Sequence, residues 1–454
     1  MKTRQLVKRL GEFIRRLNSR SIWVFVAVIQ VLLLLLIYLT WSPTHLTLFV
    51  PADEASAWQS LITDFHQQYP KIRINLRTRT NLAGDITYRL KEDFVRECQA
   101  GNSLYDLVYT DIIWMPEFAA NGCLVNLYEW TAKDTLINEG FLPSAIDAGE
   151  YKGKLYRMPL RSDIGLLYYR KNLLGNTQPP ATLQQLTALA KSWKNQGNSQ
   201  GVYLWQGWRY EGLVATFVEV LESYGGFWIK PESLEVGLDQ PAAEQAVQFL
   251  LNTIRDNISP PEVILYSEQE SLETFNQEQN TLFLRQWPYV WNQFTDPANI
   301  GVQVLNLSSN PTNNSNSLRP SACNGSWGLG IAKNSKHQDK AWKAIQYFTS
   351  QAAQKRLILE KGYLPSREAL FDDPEITAKY PYLPSLKEAV KNSILRPTIP
   401  QYAQASFILQ KYLSKLITRT ALAQRVDNNE ITRLMQEAAD ETRQLLNLER
   451  LTIN

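Results

Sequence analysis

The sequence predicts an α/β protein in which β-sheets are flanked by helices, with a helix able to span a membrane at the N-terminus. Three observations lead to this fold class. Residues 45–77 have the pattern strand, helix, strand, which favours parallel pairing and a sheet covered by helices. The chain of 454 residues is long enough for two or three domain-sized units with cores of their own. The apolar run Ile22–Leu39 approaches the roughly 20 residues that cross a bilayer.

The N-terminal residues predict a membrane anchor. Residues 1–21 are basic apart from Glu12, and the apolar run that follows is interrupted only by Gln30. Because positive flanks stay in the cytoplasm, residues 22–40 would form a single-pass anchor in the cell (inner) membrane, with the bulk of the chain on the periplasmic or extracellular side. A cleaved secretory signal is the alternative, but residues 38–43 contain no A-x-A-like cleavage site.

The composition argues against several classes of function. The net charge is +3 and much of it lies in the first residues, so no nucleic-acid surface is expected. The three histidines and three cysteines show no metal-ligand spacing, and no cofactor is predicted. Cys98 and Cys123 leave open a disulfide outside the cytoplasm. The 13 Trp and 21 Tyr suit large cores, and also a carbohydrate site, where flat rings cover the apolar faces of sugars.

Polar side chains follow the predicted strands of the first part of the chain. They are Glu54 past residues 45–50, Thr80 and Asn81 past residues 72–76, and Asp111 past residues 104–110. In parallel sheets ligands bind beyond the carboxyl ends of the strands, so these side chains are candidates for a shared site. Glu54 and Asp111 have an alternative role, because loops between a strand and a helix often use an acid as the helix N-cap.

The stretch 158–174, MPLRSDIGLLYYRKNLL, places two charges before a strand. Residues 166–169 form a continuous apolar run, which is typical of a strand buried on both faces. Arg161 and Asp163 precede it, and buried charges there need a partner, water or a ligand. The alternative is an ordinary start of a strand with solvated charges.

Later segments combine glycine with aromatic residues. Residues 225–228 read GGFW, residues 324–331 read NGSWGLGI, and residues 362–367 read GYLPSR. Small residues allow a backbone to approach a ligand closely, and Trp327 would then offer its face for stacking.

The order of these segments resembles the extracellular solute-binding proteins of ABC sugar importers, of the maltose/trehalose-binding type. The matching residues are Pro159, Asp163 and 165–170 in a first crossover, 325–331 in a second, and 362–367 in a third. The resemblance implies a two-lobed periplasmic-binding-protein fold (type II), with lobe one at 45–162 and 328–364 and lobe two at 165–326 and 367–454. It implies a monomer that binds a carbohydrate, an oligosaccharide or similar polyol, and delivers it to an ABC permease without being an enzyme.

The resemblance also implies the ligand-binding residues. Glu54, Asp111 and Asp163 would accept hydrogen bonds from sugar hydroxyls, with Arg367 as a donor. Stacking would come from Trp287 and Trp327, with Trp228 and Tyr168 as further candidates, while Thr80, Asn81 and Gly328 complete the predicted set. Trp287 has a core role as its alternative, since Pro288 follows it, and Arg367 has an exposed surface charge as its alternative.

Two other functions stay open at this stage. A membrane-anchored glycosidase would use two of the three carboxylates as a catalytic pair, but nothing in the sequence sets their separation. A sugar-sensing receptor would fit the anchor, although the 21-residue basic end contains no catalytic domain.

Overall fold

Two β-sheets, each covered by helices, organise the molecule. The computed structural model describes residues 23–31, 43–79, 86–131, 140–197, 201–306 and 320–452. Its larger sheets have five and four strands, and a two-stranded hairpin joins β4 (Glu150–Tyr151) to β5 (Lys154–Leu155). The predicted α/β class is confirmed.

The first sheet has the strand order β2-β1-β3-β11-β6. Its strands are β1 (Thr44–Pro51), β2 (Ile72–Arg79), β3 (Leu107–Asp111), β6 (Met158–Arg161) and β11 (Trp327–Ile331). The pairs β1–β2 and β1–β3 are parallel, as the strand-helix-strand pattern predicts, whereas β11 lies antiparallel between β3 and β6. The carboxyl ends of β1 and β3 therefore lie at one edge, which places Glu54 and Asp111 on the same side.

The second sheet has the strand order β10-β7-β9-β8. Its strands are β7 (Leu166–Arg170), β8 (Tyr203–Leu204), β9 (Phe283–Gln286) and β10 (Ile300–Gln303). Strand β7 pairs antiparallel with both β10 and β9, and it is buried along most of its length. This agrees with the continuous apolar run from which the strand was predicted.

Helices cover both sheets and supply most of the remaining core. The α-helices are Ala55–Gln68, Ile86–Gln99, Met115–Ala120, Tyr128–Thr131, Pro143–Asp147, Lys171–Leu174, Leu183–Asn195, Glu211–Ser223, Pro241–Arg255, Glu268–Gln277, Gln338–Phe348, Gln351–Lys361, Pro374–Lys379, Leu383–Lys391, Tyr402–Ala421 and Asn428–Thr452. Short 3-10 helices are Ala52–Glu54, Pro261–Leu265, Pro288–Gln293, Pro297–Asn299 and Glu368–Asp372. The last two α-helices pack on each other and against Pro241–Arg255, so both helices are part of the folded body.

Three chain segments run side by side between the two sheets. Ser162 donates its backbone N–H to the carbonyl of Leu364 at 2.9 Å, and Gly325 donates to the carbonyl of Asp163 at 2.8 Å. These segments include the three crossovers identified in the sequence. They are joined to one another by backbone hydrogen bonds, which fixes the spacing of the side chains they carry.

The disulfide left open by the sequence is present. Cys98 and Cys123 are bonded, with their Cα atoms 5.7 Å apart, within the usual range for a disulfide. The bond joins the helix Ile86–Gln99 to the loop after Met115–Ala120. Cys323 is a free, buried thiol.

The predicted membrane anchor is not supported by the structure. Residues 23–31 are helical, but among the residues that are described no helix is long and apolar enough to cross a bilayer. The rest of the predicted anchor, residues 22 and 32–40, lies outside the described residues, as does the whole basic segment 1–21.

Candidate functional site: a cleft between the two sheets

A cavity of about 980 Å³ lies between the carboxyl ends of strands from both sheets. Its size is at the upper end of the range usual for small-molecule sites, about 300–1,000 Å³. Its walls combine carboxylates, arginines and aromatic rings. The charged and aromatic residues of the lining, with Gly325, are Asp53, Glu54, Arg79, Asp111, Arg161, Asp163, Trp208, Tyr210, Glu211, Glu268, Glu273, Trp287, Tyr289, Trp327, Glu360, Lys361, Tyr363 and Arg396.

Arg161 joins two of the predicted carboxylates at one wall of the cleft. Its guanidinium contacts Glu54 Oε1 at 3.0 Å and Asp163 Oδ2 at 3.2 Å, and all three side chains are buried. Glu54 also accepts a hydrogen bond from the Tyr109 hydroxyl at 2.8 Å. Although Glu54 stands at the N-cap position of the helix Ala55–Gln68, its side chain makes no capping bond. The capping alternative for Glu54 is therefore wrong.

Asp163 is held by the crossing segments as well as by Arg161. Its Oδ1 accepts the backbone N–H of Leu364 at 2.8 Å, and the carboxylate is 3 % exposed. Burial raises the pKa of Asp163 to about 6, against the opposing effects of Arg161 and the Leu364 N–H. The alternative of a solvated charge is thus excluded for this residue.

Arg396 joins carboxylates from two distant parts of the chain. Its Nη1 lies 2.8 Å from Glu211 Oε1, and its Nη2 lies 3.3 Å from Asp111 Oδ1. Glu211 also accepts hydrogen bonds from the hydroxyls of Tyr402 and Ser406. Asp111 accepts the backbone N–H of Ile113 at 3.3 Å, so it has a local turn contact in addition to its ion pair.

Two tryptophans line the cleft in different ways. Trp327 is 7 % exposed, and its ring packs 4.7 Å from that of Tyr109, with the Arg161 guanidinium carbon 5.2 Å from its centre. Trp287 is partly buried, and the guanidinium carbon of Arg285 lies 4.2 Å from the centre of its ring. The Nε1 of Trp287 donates to Glu268 Oε1 at 3.1 Å. Both rings are held in place by neighbours before any ligand arrives.

Gly325 permits the close approach of Trp287. A Cβ at this position would lie 2.7 Å from Cζ3 and 2.9 Å from Cη2 of the indole ring. A glycine is therefore required here by contact with a side chain, in agreement with the small residues noted in the sequence around Trp327.

We expect Gly325→Ala to destabilise the protein by about 1–3 kcal/mol, because the added methyl group overpacks a ring that Arg285 and Glu268 hold. The free energy of unfolding, measured by urea titration, checks this. In a Trp287→Leu background the same substitution should cost clearly less, since the clashing ring is gone. Equal costs in the two backgrounds would show that Trp287 is not the group that requires glycine.

The structure brings together five of the predicted site residues and separates others from the cleft. Lining the cavity are Glu54, Asp111, Asp163, Trp287 and Trp327. The other described members of the predicted set are buried or engaged elsewhere: Trp228, Gly328, Arg367 and Tyr168. Thr80 and Asn81 lie outside the described residues.

The predicted residues that do not line the cavity each make other contacts that explain their position. Trp228 is 3 % exposed and packs edge-on against Tyr402, at 5.6 Å between ring centres. Gly328 is inside β11, where a Cβ would lie 2.3 Å from the Met158 carbonyl oxygen. Arg367 stacks on Phe141 at 3.9 Å and donates to the carbonyl of Thr349. Tyr168 is fully buried in β7 and donates its hydroxyl to the Trp287 carbonyl.

Sequence reasoning missed several lining residues. Arg161 was recognised as a charge needing a partner but was given no role, although its position beside Asp163 was a usable signal. Glu211, Glu268 and Arg396 follow no local motif, so only the tertiary structure brings them to the cleft. Among the described residues no cluster of His, Cys, Asp and Glu is arranged to hold a metal ion.

The chain matches the bacterial extracellular solute-binding protein family over residues 51–355. A probable ABC transporter-binding protein of Deinococcus radiodurans is 29% identical over 290 residues, which cover 61% of this chain and 67% of that protein. A maltotriose-binding protein of Pyrococcus abyssi is 23% identical over 351 residues, covering 77% and 72% of the two chains.

Solved structures share the fold. The maltose-bound MalE3 of T. maritima has a TM-score of 0.76 and 28% identity, and the match covers 88% of this chain and 100% of that one. A ribitol complex of an ABC transporter solute-binding protein from Agrobacterium radiobacter K84 has a TM-score of 0.75 at 20% identity, covering 89% and 99%, which shows the fold alone. The two-lobed α/β fold and the family expected from the crossover segments are thereby confirmed. The chain belongs to the bacterial extracellular solute-binding protein family.

Proposed function

We propose that this protein binds an uncharged carbohydrate in the cleft between its lobes and delivers it to the permease of an ABC importer. The relatives support this ligand class, since one is named a maltotriose-binding protein and a structural neighbour is bound to maltose. The observation that carries the proposal is the combination of aromatic faces and buried carboxylates in one cavity. Aromatic rings can cover the C–H faces of a sugar, and carboxylates can accept hydrogen bonds from its hydroxyls.

The charges of the cleft favour an uncharged ligand over an anionic one. In the described part of the lining, acidic side chains outnumber basic ones by eight to four. Arg161 and Arg396 each contact two carboxylates, and the Lys361 ammonium is bonded to the Asp53 carbonyl at 2.8 Å. The fourth basic residue, Arg79, pairs with Asp93. Each cation in the described lining is thus already in contact with a carboxylate or a carbonyl, which disfavours a phosphate or carboxylate on the ligand.

The site residues we propose are Glu54, Asp111, Asp163, Trp287 and Trp327. The three carboxylates would accept hydrogen bonds from sugar hydroxyls, through lone pairs that their arginine partners do not use. The two tryptophan rings would cover the apolar faces of the sugar. Trp228, Gly328 and Arg367 are not among them, because their side chains or backbone are engaged away from the cavity.

Several finer features belong to the same proposal. Lobe one would comprise residues 45–162 and 328–364, and lobe two 165–326 and 367–454; the membership of β1–β3, β6 and β11 in one sheet, and of β7–β10 in the other, supports this division. The lobes would close on the sugar by a hinge motion. The protein would act as a monomer without enzymatic activity, outside the cytoplasm, with residues 22–40 as its anchor on the strength of the basic flank and apolar run.

The purified protein should bind neutral oligosaccharides or polyols and reject their anionic counterparts. Ligand bound only by the native state raises the melting temperature by mass action, so a thermal-shift panel followed by calorimetry measures the affinities. We expect anionic analogues, such as uronic acids or sugar phosphates, to bind at least about tenfold more weakly at low salt, and the gap to narrow as salt screens the acidic lining.

Trp327→Ala should abolish the shift, and the sugar should be recovered unchanged. Consumption of the sugar would contradict the binding function and point to a glycosidase. An absence of any shift across neutral sugars and polyols would overturn the carbohydrate assignment.

A further inference from the structure

Glu268 occupies a junction between two aromatic side chains of the cleft. Its Oε1 accepts the indole N–H of Trp287 at 3.1 Å, and its Oε2 accepts the hydroxyl of Tyr210 at 2.6 Å. One carboxylate thus fixes two rings, which come from separate segments of the chain. Each of its oxygens keeps a second lone pair for another donor.

A third aromatic ring, that of Trp208, packs against one member of this pair. Trp208 packs on Tyr210 with ring centres 5.2 Å apart and planes tilted by 32°. Trp208, Tyr210 and Trp287 all line the cavity, and we call these three residues the aromatic wall. The Glu268 carboxylate joins the Tyr210 part of this wall to Trp287.

The position of Glu268 is itself well fixed. It is the first residue of the helix Glu268–Gln277, directly after Ser267, which forms a capping box with Glu270. The side chain of Gln286 donates to its backbone carbonyl at 2.8 Å. A negative charge in the first turn also interacts favourably with the helix dipole.

Glu268 is the acceptor in both hydrogen bonds, and both of its partners are donors. Burial, followed by the charge of Glu268, raises the pKa of the Tyr210 phenol well above its usual value, so the hydroxyl remains a donor. The indole N–H of Trp287 can only donate. Both donors need an acceptor, and Glu268 supplies both oxygens.

We propose that Glu268 is a positioning residue of the ligand cleft, which holds the aromatic wall in the orientation that receives a sugar ring. The role rests on the carbohydrate-binding function proposed above and adds a determinant of affinity to that site. Without the carboxylate, Trp287 and Tyr210 would regain rotamers that ligand binding must then exclude. Ordering two side chains of this kind weakens an affinity by about tenfold or more.

The test compares Glu268→Ala with Glu268→Gln and Glu273→Ala. Glu273 lies in the same helix and lines the same cavity, but it is exposed and contacts Gln269, so its removal changes the cleft charge equally without touching the aromatic wall. We expect Kd for the sugar to rise about tenfold or more in Glu268→Ala and less than threefold in Glu273→Ala. Glu268→Gln keeps an acceptor for Trp287 but places an amide N–H where Tyr210 needs an acceptor, so it should recover part of the affinity.

A second readout separates positioning from charge. The indole N–H resonance of Trp287, identified by its loss in Trp287→Phe, should move or broaden in ligand-free Glu268→Ala and stay in place in Glu273→Ala. An unchanged resonance, or equal losses of affinity in the two alanine variants, would overturn the role of Glu268. If the wild type binds no sugar at all, the proposed function fails, while the resonance still decides whether Glu268 holds the wall.

Discussion

Replacing Arg396 by glutamine should lower the free energy of unfolding by about 3–5 kcal/mol, because the change leaves buried carboxylates without their cation. Arg396 is 3 % exposed, and its guanidinium lies within 3.3 Å of oxygens on both Glu211 and Asp111. Glutamine carries no charge to balance either carboxylate. The hydroxyls of Tyr402 and Ser406 still donate to Glu211, which limits the loss but does not neutralise the charge.

Urea unfolding followed by tryptophan fluorescence measures the effect, and a surface ion pair provides the matched control. Arg356 and Asp64 also form an ion pair, but both side chains are more than 40 % exposed. Arg356→Gln should therefore cost no more than about 1 kcal/mol. Adding Glu211→Gln to Arg396→Gln should recover part of the stability, since it removes one of the buried charges. A loss of less than about 1 kcal/mol for Arg396→Gln would mean that the pair is screened by water.

The parts of the site that the sequence could predict are those fixed by strand ends. Glu54 follows β1 and Asp111 is the last residue of β3, and parallel pairing brings the carboxyl ends of those strands to one edge. Asp163 and Trp327 belong to segments whose order along the chain identified the crossovers. In each case a short stretch of sequence contained both the structural element and the polar or aromatic residue.

Other predicted site residues lie outside the cavity. The resemblance implied that Trp228 stacks on the ligand, but its ring packs against Tyr402, which is far away in the sequence. Arg367 matched a crossover motif, yet its guanidinium stacks on Phe141. A local pattern specifies the backbone well and leaves open which neighbour a long side chain will meet, because that neighbour comes from another part of the chain.

The lining residues that the sequence did not predict also depend on contacts between distant parts of the chain. Arg396 reaches Asp111 across 285 positions, and Glu268 reaches Tyr210 across 58. Neither has a local motif that distinguishes it from an ordinary surface charge. For Arg161 the sequence did give a usable expectation, because a charge beside a buried strand needs a partner. The structure supplies Glu54 and Asp163 as the partners.

The stability of the protein should contain a component that falls as pH rises, owing to Asp163. Burial raises the pKa of this carboxyl from 3.8 to about 6 in the folded state. Between these two values the folded protein holds the Asp163 proton while the unfolded chain has released it. The folded state then binds more protons than the unfolded state, so the contribution of Asp163 to stability decreases across this window. The full loss, reached above about pH 6, approaches about 3 kcal/mol at 1.36 kcal/mol per pKa unit.

The difference between wild type and Asp163→Asn isolates this component. Asparagine keeps an oxygen to accept the Leu364 N–H, and its loss of attraction to Arg161 is a separate effect. We therefore expect the unfolding free energy of the wild type, relative to the variant, to fall between about pH 4 and pH 6 and then level off. Urea titrations at a series of pH values measure it.

Asp373 provides a control of opposite sign. Burial acts to raise the pKa of Asp373, but the Lys355 contact and the backbone N–H groups of Glu375 and Ile376 lower it overall. Stability from Asp373 is thus present above its unfolded pKa and is lost as pH falls, so wild type relative to Asp373→Asn should rise with pH in the acid range. A rise with pH in the Asp163 difference curve as well would contradict the prediction. It would show that the attraction to Arg161 outweighs the burial of this carboxyl, so that the ionised form of Asp163 stabilises the folded state.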